Sequence, residues 1–270
     1  MKIPIIKSDL HIHTIHSDGS MTVGEVMDIA KHKGLDCISI TDHDIVSGQN
    51  DAILYGKEIG LKVITGIEIS AYSVTAVHVL GYNIDYNNPA LVELLDDLLA
   101  QRQERAMQIL EKLKRFNINL DESKLPAVNV GRSHIAQLLK AEGYVSTIQE
   151  AFDRYLGENK LAYVPSKRIS PLMAVQAIKE SGGMAVIAHP LQLYNSKKLI
   201  PLIEGLLPYG LDGLEVYYPT HSKEQTAAFE KIAKKYNLFA TGGSDYHGIN
   251  KNNTINQLGG TYCNLPVELR

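Results

Sequence analysis

The chain holds very little cysteine: Cys37 and Cys263 are the only two among 270 residues. Their spacing matches neither a disulfide framework nor a thiolate zinc site, and a reducing compartment fits best. Long apolar runs are missing as well. No stretch approaches the roughly eighteen residues of a membrane span, and the opening MKIPIIKSDL carries neither an extended apolar core nor a small-residue cleavage site. The expected location is therefore the cytoplasm. Nor is there an excess of charge: 27 basic against 30 acidic side chains leave a formal −3, with a pI near 6.4. Such a balance offers nothing to duplex DNA or to an anionic membrane surface, so an acidic ligand must be attracted locally. A short single strand needs few contacts and stays compatible with it. Low-complexity segments, and repeats beyond a βα period, are absent too.

What is present is a 44% hydrophobic chain long enough for one large α/β domain or one domain carrying an insertion. Short β-branched runs read as strands: IPII leading into DLHIH, CISIT, KVITG, VHVLGY, MAVIAH, GLEVYY and LFATGGSD. Amphipathic stretches at 22–33, 48–59, 171–181, 196–207 and 222–236 read as helices, several opened by Ser or Thr and closed by Gly. Strand and helix in alternation mean βα units around a parallel sheet, and six or seven units favour a barrel over an open sheet. The rhythm breaks over 88–165. ALVELLDDLLAQRQERAMQILEKLKRF predicts one long helix, GRSHIAQLLKAEG and VSTIQEAFDRYLG predict shorter ones, and no convincing strand separates them. The expected organisation is a barrel domain from 1–87 and 166–270 with a helical insertion, a cap, at 88–165.

The segment DLHIHTIHSDGS, positions 9 to 20, concentrates histidines in a chain that has ten. Residues two apart on a strand share a face, so Asp9, His11 and His13 project together and the two imidazoles make half of a metal site. A lone histidine would usually be an ordinary core or surface residue, but here the pattern recurs. His43 follows CISIT, Glu68 follows KVITG, His78 lies in VHVLGY, His189 follows MAVIA, and Asp245 and His247 follow LFATGG. Side chains delivered at strand ends are where a βα barrel builds its active site.

These motifs, HIH with SDGS, TDHD, GIEIS, the histidine of HVLGY, AHP and SDYH, resemble those of the PHP (polymerase and histidinol phosphatase) superfamily of metal-dependent phosphoesterases, and they span nearly the whole chain. The resemblance implies a distorted seven-stranded βα barrel. It also implies a trinuclear centre with His11, His13, Asp18, His43, Glu68, His78, His189, Asp245 and His247 as ligands and Glu68 bridging. Independently of the family, so many N and O donors exceed the needs of one ion, and imidazole mixed with carboxylate suits Mn²⁺, Zn²⁺ or Fe²⁺ rather than Ca²⁺. Two to three divalent ions are expected, Mn²⁺ foremost. Three such ions against three carboxylates leave roughly +3 for exogenous anions, which a hydroxide plus a phosphate would neutralise.

Other polar residues carry less. Asp9, Asp42 and Asp44 lie close in sequence to ligand histidines and either orient imidazoles or act as caps. His16 fits no family spacing and reads as a loop or site-rim residue; His32, in KHKG, reads as a solvent-facing residue favourable to a helix dipole. In GRSH, the forked donors of Arg132 suit a phosphate, with Ser133 and His134 at the start of the following helix; the plain alternative is a capped helix with an exposed Arg. AVNVGRSHIAQLL, GENKLAYVP and EVYYPTHS resemble one PHP branch, the nucleoside 3′,5′-bisphosphate phosphatases and 5′-to-3′ exoribonucleases. That likeness implies Arg132, His134 and His221 as contacts to substrate phosphate or as leaving-group donors; together with Ser133 beside them they are the expected substrate-binding residues, and Glu68, Arg132 and His221 the expected catalytic ones.

The function expected is hydrolysis of the 3′-phosphate of nucleoside 3′,5′-bisphosphates by attack of a metal-bound hydroxide, extending to 5′-to-3′ exonuclease action on short RNA. The partner is then a small phosphorylated substrate, with no duplex DNA, no membrane and the oligomeric state left open. Two alternatives compete: another PHP phosphomonoesterase, such as a histidinol-phosphatase-like enzyme, and a metal-stabilised interaction domain without catalysis.

Overall fold

In the computed structural model the described residues are 6–73, 75–126, 129–165, 169–250 and 255–269. Positions 3–5 of the expected IPII strand, and Ala127 and Val128 of the AVNVGRSH segment, lie outside them. The chain folds as two compact units, Met1–Leu94 with Ile169–Arg270, and Leu95–Arg168.

The first unit is built on one sheet. Strands β1 (Lys7–Ile12), β2 (Cys37–Ile40) and β3 (Lys62–Tyr72) run parallel, linked by helices α1 (Val23–His32) and α2 (Gln49–Ile59). Thr22 opens α1 with a reciprocal cap, its hydroxyl accepting from the Glu25 N–H while the Glu25 carboxylate accepts from the Thr22 N–H. Gly60, left-handed at φ 66°, closes α2. Strand β3 is longer than the KVITG segment that announces it. Its first half, Lys62–Thr65, pairs with β2, and its second half, Gly66–Tyr72, pairs antiparallel with β4 (Ala76–Tyr82). Glu68 therefore lies inside a strand rather than after one, because the chain continues straight into a hairpin.

After α3 (Pro89–Lys114), α4 (Arg132–Ala141) and α5 (Ile148–Ala151), the chain returns through α6 (Pro171–Glu180) to β5 (Met184–Ile187). Strand β5 is antiparallel to β4, whereas β6 (Leu211–Tyr217) and β7 (Phe239–Gly242) extend the sheet in parallel. They are connected by α7 (Leu191–Asn195), α8 (Leu199–Leu206) and α9 (Lys223–Lys235). The sheet has the order β7-β6-β5-β4-β3-β2-β1-β8, where β8 (Cys263–Asn264) pairs antiparallel with β1. Among the described residues the expected strand number of seven is thus corrected to eight. Two residues at a sheet edge carry no periodicity of their own, and only the register Lys7 to Asn264 and Ser8 to Cys263 makes them a strand.

The sheet nearly closes into a barrel. Ile12 bridges Tyr246 in parallel, the His13 N–H donates to the Tyr246 carbonyl at 2.9 Å, and the Ser244 N–H donates to Asp9 Oδ1 at 2.9 Å. One core cluster packs α1 and Ala52 of α2 against Ile12, Ile38 and Ile40. Another gathers Leu10, Ile64, Leu80, Tyr82 and Val186, with the Tyr82 hydroxyl donating to the Leu10 carbonyl at 2.9 Å. Apolar packing below and β-branched strands around thus hold the ends of β1, β2, β5 and β7 in fixed relation.

The second unit is helical. Ile109, Leu110 and Leu113 of α3 pack with Ile135, Leu138 and Leu139 of α4 and with Ala151 and Leu156. Arg105 and Lys112 donate to the carbonyls of Val164 and Tyr163. VSTIQEAFDRYLG, read as one helix, is α5 followed by a wider turn of π type over Phe152–Leu156.

Candidate metal centre

The side chains singled out at the strand ends meet around one carboxylate. Glu68 Oε2 lies 3.2 Å from His11 Nε2, 3.1 Å from His13 Nε2 and 3.1 Å from His43 Nδ1, while Oε1 lies 2.9 Å from His78 Nδ1 and 3.0 Å from His189 Nε2. Asp245 Oδ1 stands 3.3 Å from His13 Nε2, 3.6 Å from His11 Nε2 and 3.4 Å from His247 Nδ1. Asp18 Oδ1 stands 3.1 Å from His247 Nε2. Among the described residues, four groups have donor atoms within 4.8 Å of one another: His13, Asp18, His43 and His247; His11, Glu68 and His189; His11, His13 and Asp245; and His43, Glu68 and His78.

Topology explains the convergence. His11 and His13 come from the end of β1, His43 follows β2, His189 follows β5, and Asp245 and His247 follow β7. His78 is near the start of β4, but β4 runs against its neighbours, so its start lies at the same end as their finishes. Two of the residues sit on strained backbone: His189 has φ 25° and Asp245 has φ 50°, conformations that a side chain with a Cβ adopts at a cost of about 1–3 kcal/mol.

The floor is buried and one side is open. His11 and His13 are fully buried and Glu68 is 1% exposed, against 26% for the His78 side chain and 29% for that of His189. Burial by itself would raise the Glu68 pKa, but His43, His11 and His78 outweigh it and hold the carboxyl well below its usual range. For Asp18, burial is likewise overcome by His247, His43 and His13. Burial would lower His13, yet Asp245 and Glu68 bring it up to about 9; His11 is raised for the same reason, with Glu215 the leading partner. Burial drives His43 well down.

The arrangement fits a cation centre on two counts. His11 Nε2, His13 Nε2, Asp18 Oδ1 and Glu68 Oε2 are buried and make no hydrogen bond among the described residues, although oppositely charged atoms stand close by. The separations of 2.9–3.6 Å also match what two ligands on one ion require, since bonds of about 2.1 Å put them about 3.0 Å apart at right angles and about 3.4 Å apart in a tetrahedron. A cation bound there would compete with protons for the ring nitrogens of His11 and His13.

Supporting contacts lie behind the cluster. Asp42 accepts from the Thr14 N–H and hydroxyl at 2.8 and 2.7 Å and from the Ser17 hydroxyl at 2.5 Å, and Ser17 Oγ lies 3.5 Å from His13 Nδ1. Asp9 accepts from the N–H groups of Ser244 and Gly259 and so ties β1 to the chain after β7; burial pushes it up to about 6. Asp44 accepts from the Ser70 N–H. Two residues escaped the sequence reading. Glu215, inside β6, meets His11 Nδ1 at 2.9 Å and the His189 N–H at 2.6 Å. The Tyr218 hydroxyl donates to Asp245 Oδ2 at 2.5 Å. Their one signal is a polar residue inside, and another just after, a strand whose end carries chemistry.

The remaining expected residues divide between the two units. His221 Nδ1 donates to the Val216 carbonyl at 2.9 Å, its Nε2 is buried without a hydrogen bond among the described residues, and burial lowers its pKa despite Val216 and Glu215. An open cleft beside it is lined by His189, Gln192, Asn195, Tyr218 and Thr220. Arg132, Ser133 and His134 belong to the second unit, where they form the first turn of α4. There Arg132 donates to the Leu156 carbonyl and stacks over Phe152, while His134 Nδ1 accepts from the Gly131 N–H. His16 is tied to Ser47, and His32 is exposed in the last turn of α1.

Comparison with known proteins agrees with this geometry. The PHP domain family model matches residues 9–158. A 5′-3′ exoribonuclease of Haemophilus influenzae is 35% identical over 89% of this chain and 90% of its own length. A phosphoribosyl 1,2-cyclic phosphate 1,2-diphosphodiesterase of Eggerthella lenta is 34% identical over 89% and 94%, and a 3′,5′-nucleoside bisphosphate phosphatase of Chromobacterium violaceum is 34% identical over 88% and 86%. A solved structure from Bifidobacterium adolescentis, assigned as a metal-dependent phosphoesterase, superposes with a TM-score of 0.85 at 30% identity, covering 95% of this chain and 92% of that one. With the family model matched over more than half its length and full-length relatives above 30% identity, the chain belongs to the PHP domain family.

Proposed function

We propose that this chain removes the 3′-phosphate of small nucleoside 3′,5′-bisphosphates, with removal of nucleotides from the 5′ end of short RNA as an extension of the same chemistry. It is a phosphoric ester hydrolase of the PHP family. The observation that carries the reading is Glu68, one buried carboxylate within 3.2 Å of five imidazoles, with an open side at His78 and His189. The nine clustered residues are read as ligands of two to three divalent ions, Mn²⁺ first and Zn²⁺ or Fe²⁺ next, in keeping with mixed imidazole and carboxylate donors. Such ions would supply Lewis acidity and water ionised near pH 7.

The chain's own side chains do the positioning. Glu68 sets the spacing across the cluster, and Tyr218 fixes one oxygen of Asp245. His221, with Nδ1 engaged, is left with Nε2 as the nitrogen that would meet a substrate phosphate or a leaving oxygen once the ring is uncovered. Arg132, Ser133 and His134 take the substrate's other phosphate, a role supported by the forked guanidinium and the ten-residue helix they begin. In this division 1–87 with 166–270 performs the chemistry and 88–165 selects the substrate. A second reading, a cyclic phosphodiester as substrate, is favoured by the identity to the Eggerthella lenta enzyme. A panel run with Mn²⁺ separates them: a nucleoside 3′,5′-bisphosphate, a 3′-mononucleotide, 5′-phosphorylated short RNA, phosphoribosyl 1,2-cyclic phosphate and histidinol phosphate. The bisphosphate should show the highest kcat/KM; a lead by either of the last two would replace the proposal.

A further inference from the structure

We infer that Glu215 is a positioning residue which fixes two of the candidate ligands, His11 and His189, from behind the cluster. The inference rests on reading the cluster as a metal centre. Glu215 sits in β6 and is completely buried. Its two oxygens are divided: Oε1 meets His11 Nδ1 at 2.9 Å and Oε2 accepts the His189 backbone N–H at 2.6 Å.

Each contact has a separate consequence. The other nitrogen of His11, Nε2, faces Glu68 at 3.2 Å and Asp245 at 3.6 Å. The two ring nitrogens of an imidazole diverge, so Glu215 stands across the ring from the cluster and does not share an ion with it. What it does is hold the proton on Nδ1, which leaves the Nε2 lone pair directed at the cluster and raises its basicity. At His189 the backbone is in the left-handed region, φ 25°, and the bond from its N–H holds it there. The strained turn places His189 Nε2 3.0 Å from Glu68 Oε1 at the accessible edge of the site. A single carboxylate therefore sets the tautomer of one buried ligand and the backbone of a partly buried one, so that β1 and β5 present their imidazoles in register.

The test is a titration of metal-free protein with Mn²⁺ alone, followed by the EPR signal of the free ion, on wild type, Glu215→Gln and Glu215→Ala. Gln has the same size but cannot accept at both positions. It should weaken one bound ion about 10–100-fold, the range for losing a carboxylate behind a metal-bound histidine, and leave the ion at Asp18, His43 and His247 unchanged. Glu215→Ala should lose the first ion entirely. In a His11→Ala background most of the effect of Glu215→Gln should vanish, because its main partner is gone. Wild-type affinity in both variants, equal weakening of every ion, the same loss in both backgrounds, or failure of both variants to fold would each overturn the inference, the last by making Glu215 a folding residue. A wild type that binds no Mn²⁺ would instead sink the metal reading itself.

Discussion

At the scale of single residues, the cluster's charge is concentrated in Glu68. Its removal leaves five imidazoles without the carboxylate they face, so Glu68→Ala should cut turnover by at least about 10²–10³-fold, as loss of one preorganised electrostatic partner does elsewhere. His32→Ala, an exposed change at the end of α1, should leave the rate within twofold of wild type, about 0.4 kcal/mol. Equal losses in two folded variants would mean the site is elsewhere. Arg132→Ala tests substrate reading. If the guanidinium holds the second phosphate, the preference for a 3′,5′-bisphosphate over a 3′-mononucleotide should fall by roughly ten- to a hundredfold, the worth of a charge-assisted pair of about 1.5–3 kcal/mol, with aryl phosphate hydrolysis nearly intact. The residues of the cluster were legible because the donors that a metal centre would need are restricted to a few residue types, which repeat at strand ends. Glu215 was not. In GLEVYY it occupies the polar place of an alternating strand, the place that would face water in an open sheet, and only closure into a barrel turns that face inward.

At the scale of elements, the site depends on β7 ending hard against β1. A Cβ added at Gly243 would lie 2.5 Å from both the backbone N and the Cβ of His11, and backbone cannot yield as a side-chain tip can. Gly243→Ala should destabilise the protein by about 1–3 kcal/mol through overpacking and weaken Mn²⁺ binding by displacing His11. Gly205, exposed in α8 with nothing within 4 Å of an added Cβ, is the opposite case: Gly205→Ala should stabilise by about 0.4–1 kcal/mol. Thermal melts of the pair check both signs, and a stabilised Gly243→Ala would refute the close approach. The long elements were readable from period and caps, as with α1 behind its Thr22 and Glu25 box and α9 behind Ser222 and Gln225. What stayed hidden depends on pairing. The hairpin that lengthens β3, the reversed direction of β4 and the two-residue β8 are fixed by register with distant strands, and α7, five residues long, is too short to show a period.

At the scale of the molecule, carboxylates and imidazoles drawn from six strands or their ends are joined through a shared centre, so ion binding and folding should be coupled. Chelation should lower the melting temperature by several degrees and Mn²⁺ should restore it, since each ion contributes about 2.7 kcal/mol at a free concentration a hundred times its Kd. An unchanged melt would uncouple the two. The central claim is that this cluster hydrolyses a phosphomonoester with the help of bound cations. The most direct measurement is ³¹P NMR of a nucleoside 3′,5′-bisphosphate incubated with chelated protein, then with the same protein after Mn²⁺ is added. The account predicts no change before addition and, after it, loss of the 3′ resonance with growth of inorganic phosphate and the nucleoside 5′-monophosphate; equal hydrolysis in the chelated sample, or a spectrum that stays unchanged with Mn²⁺ bound, would contradict it.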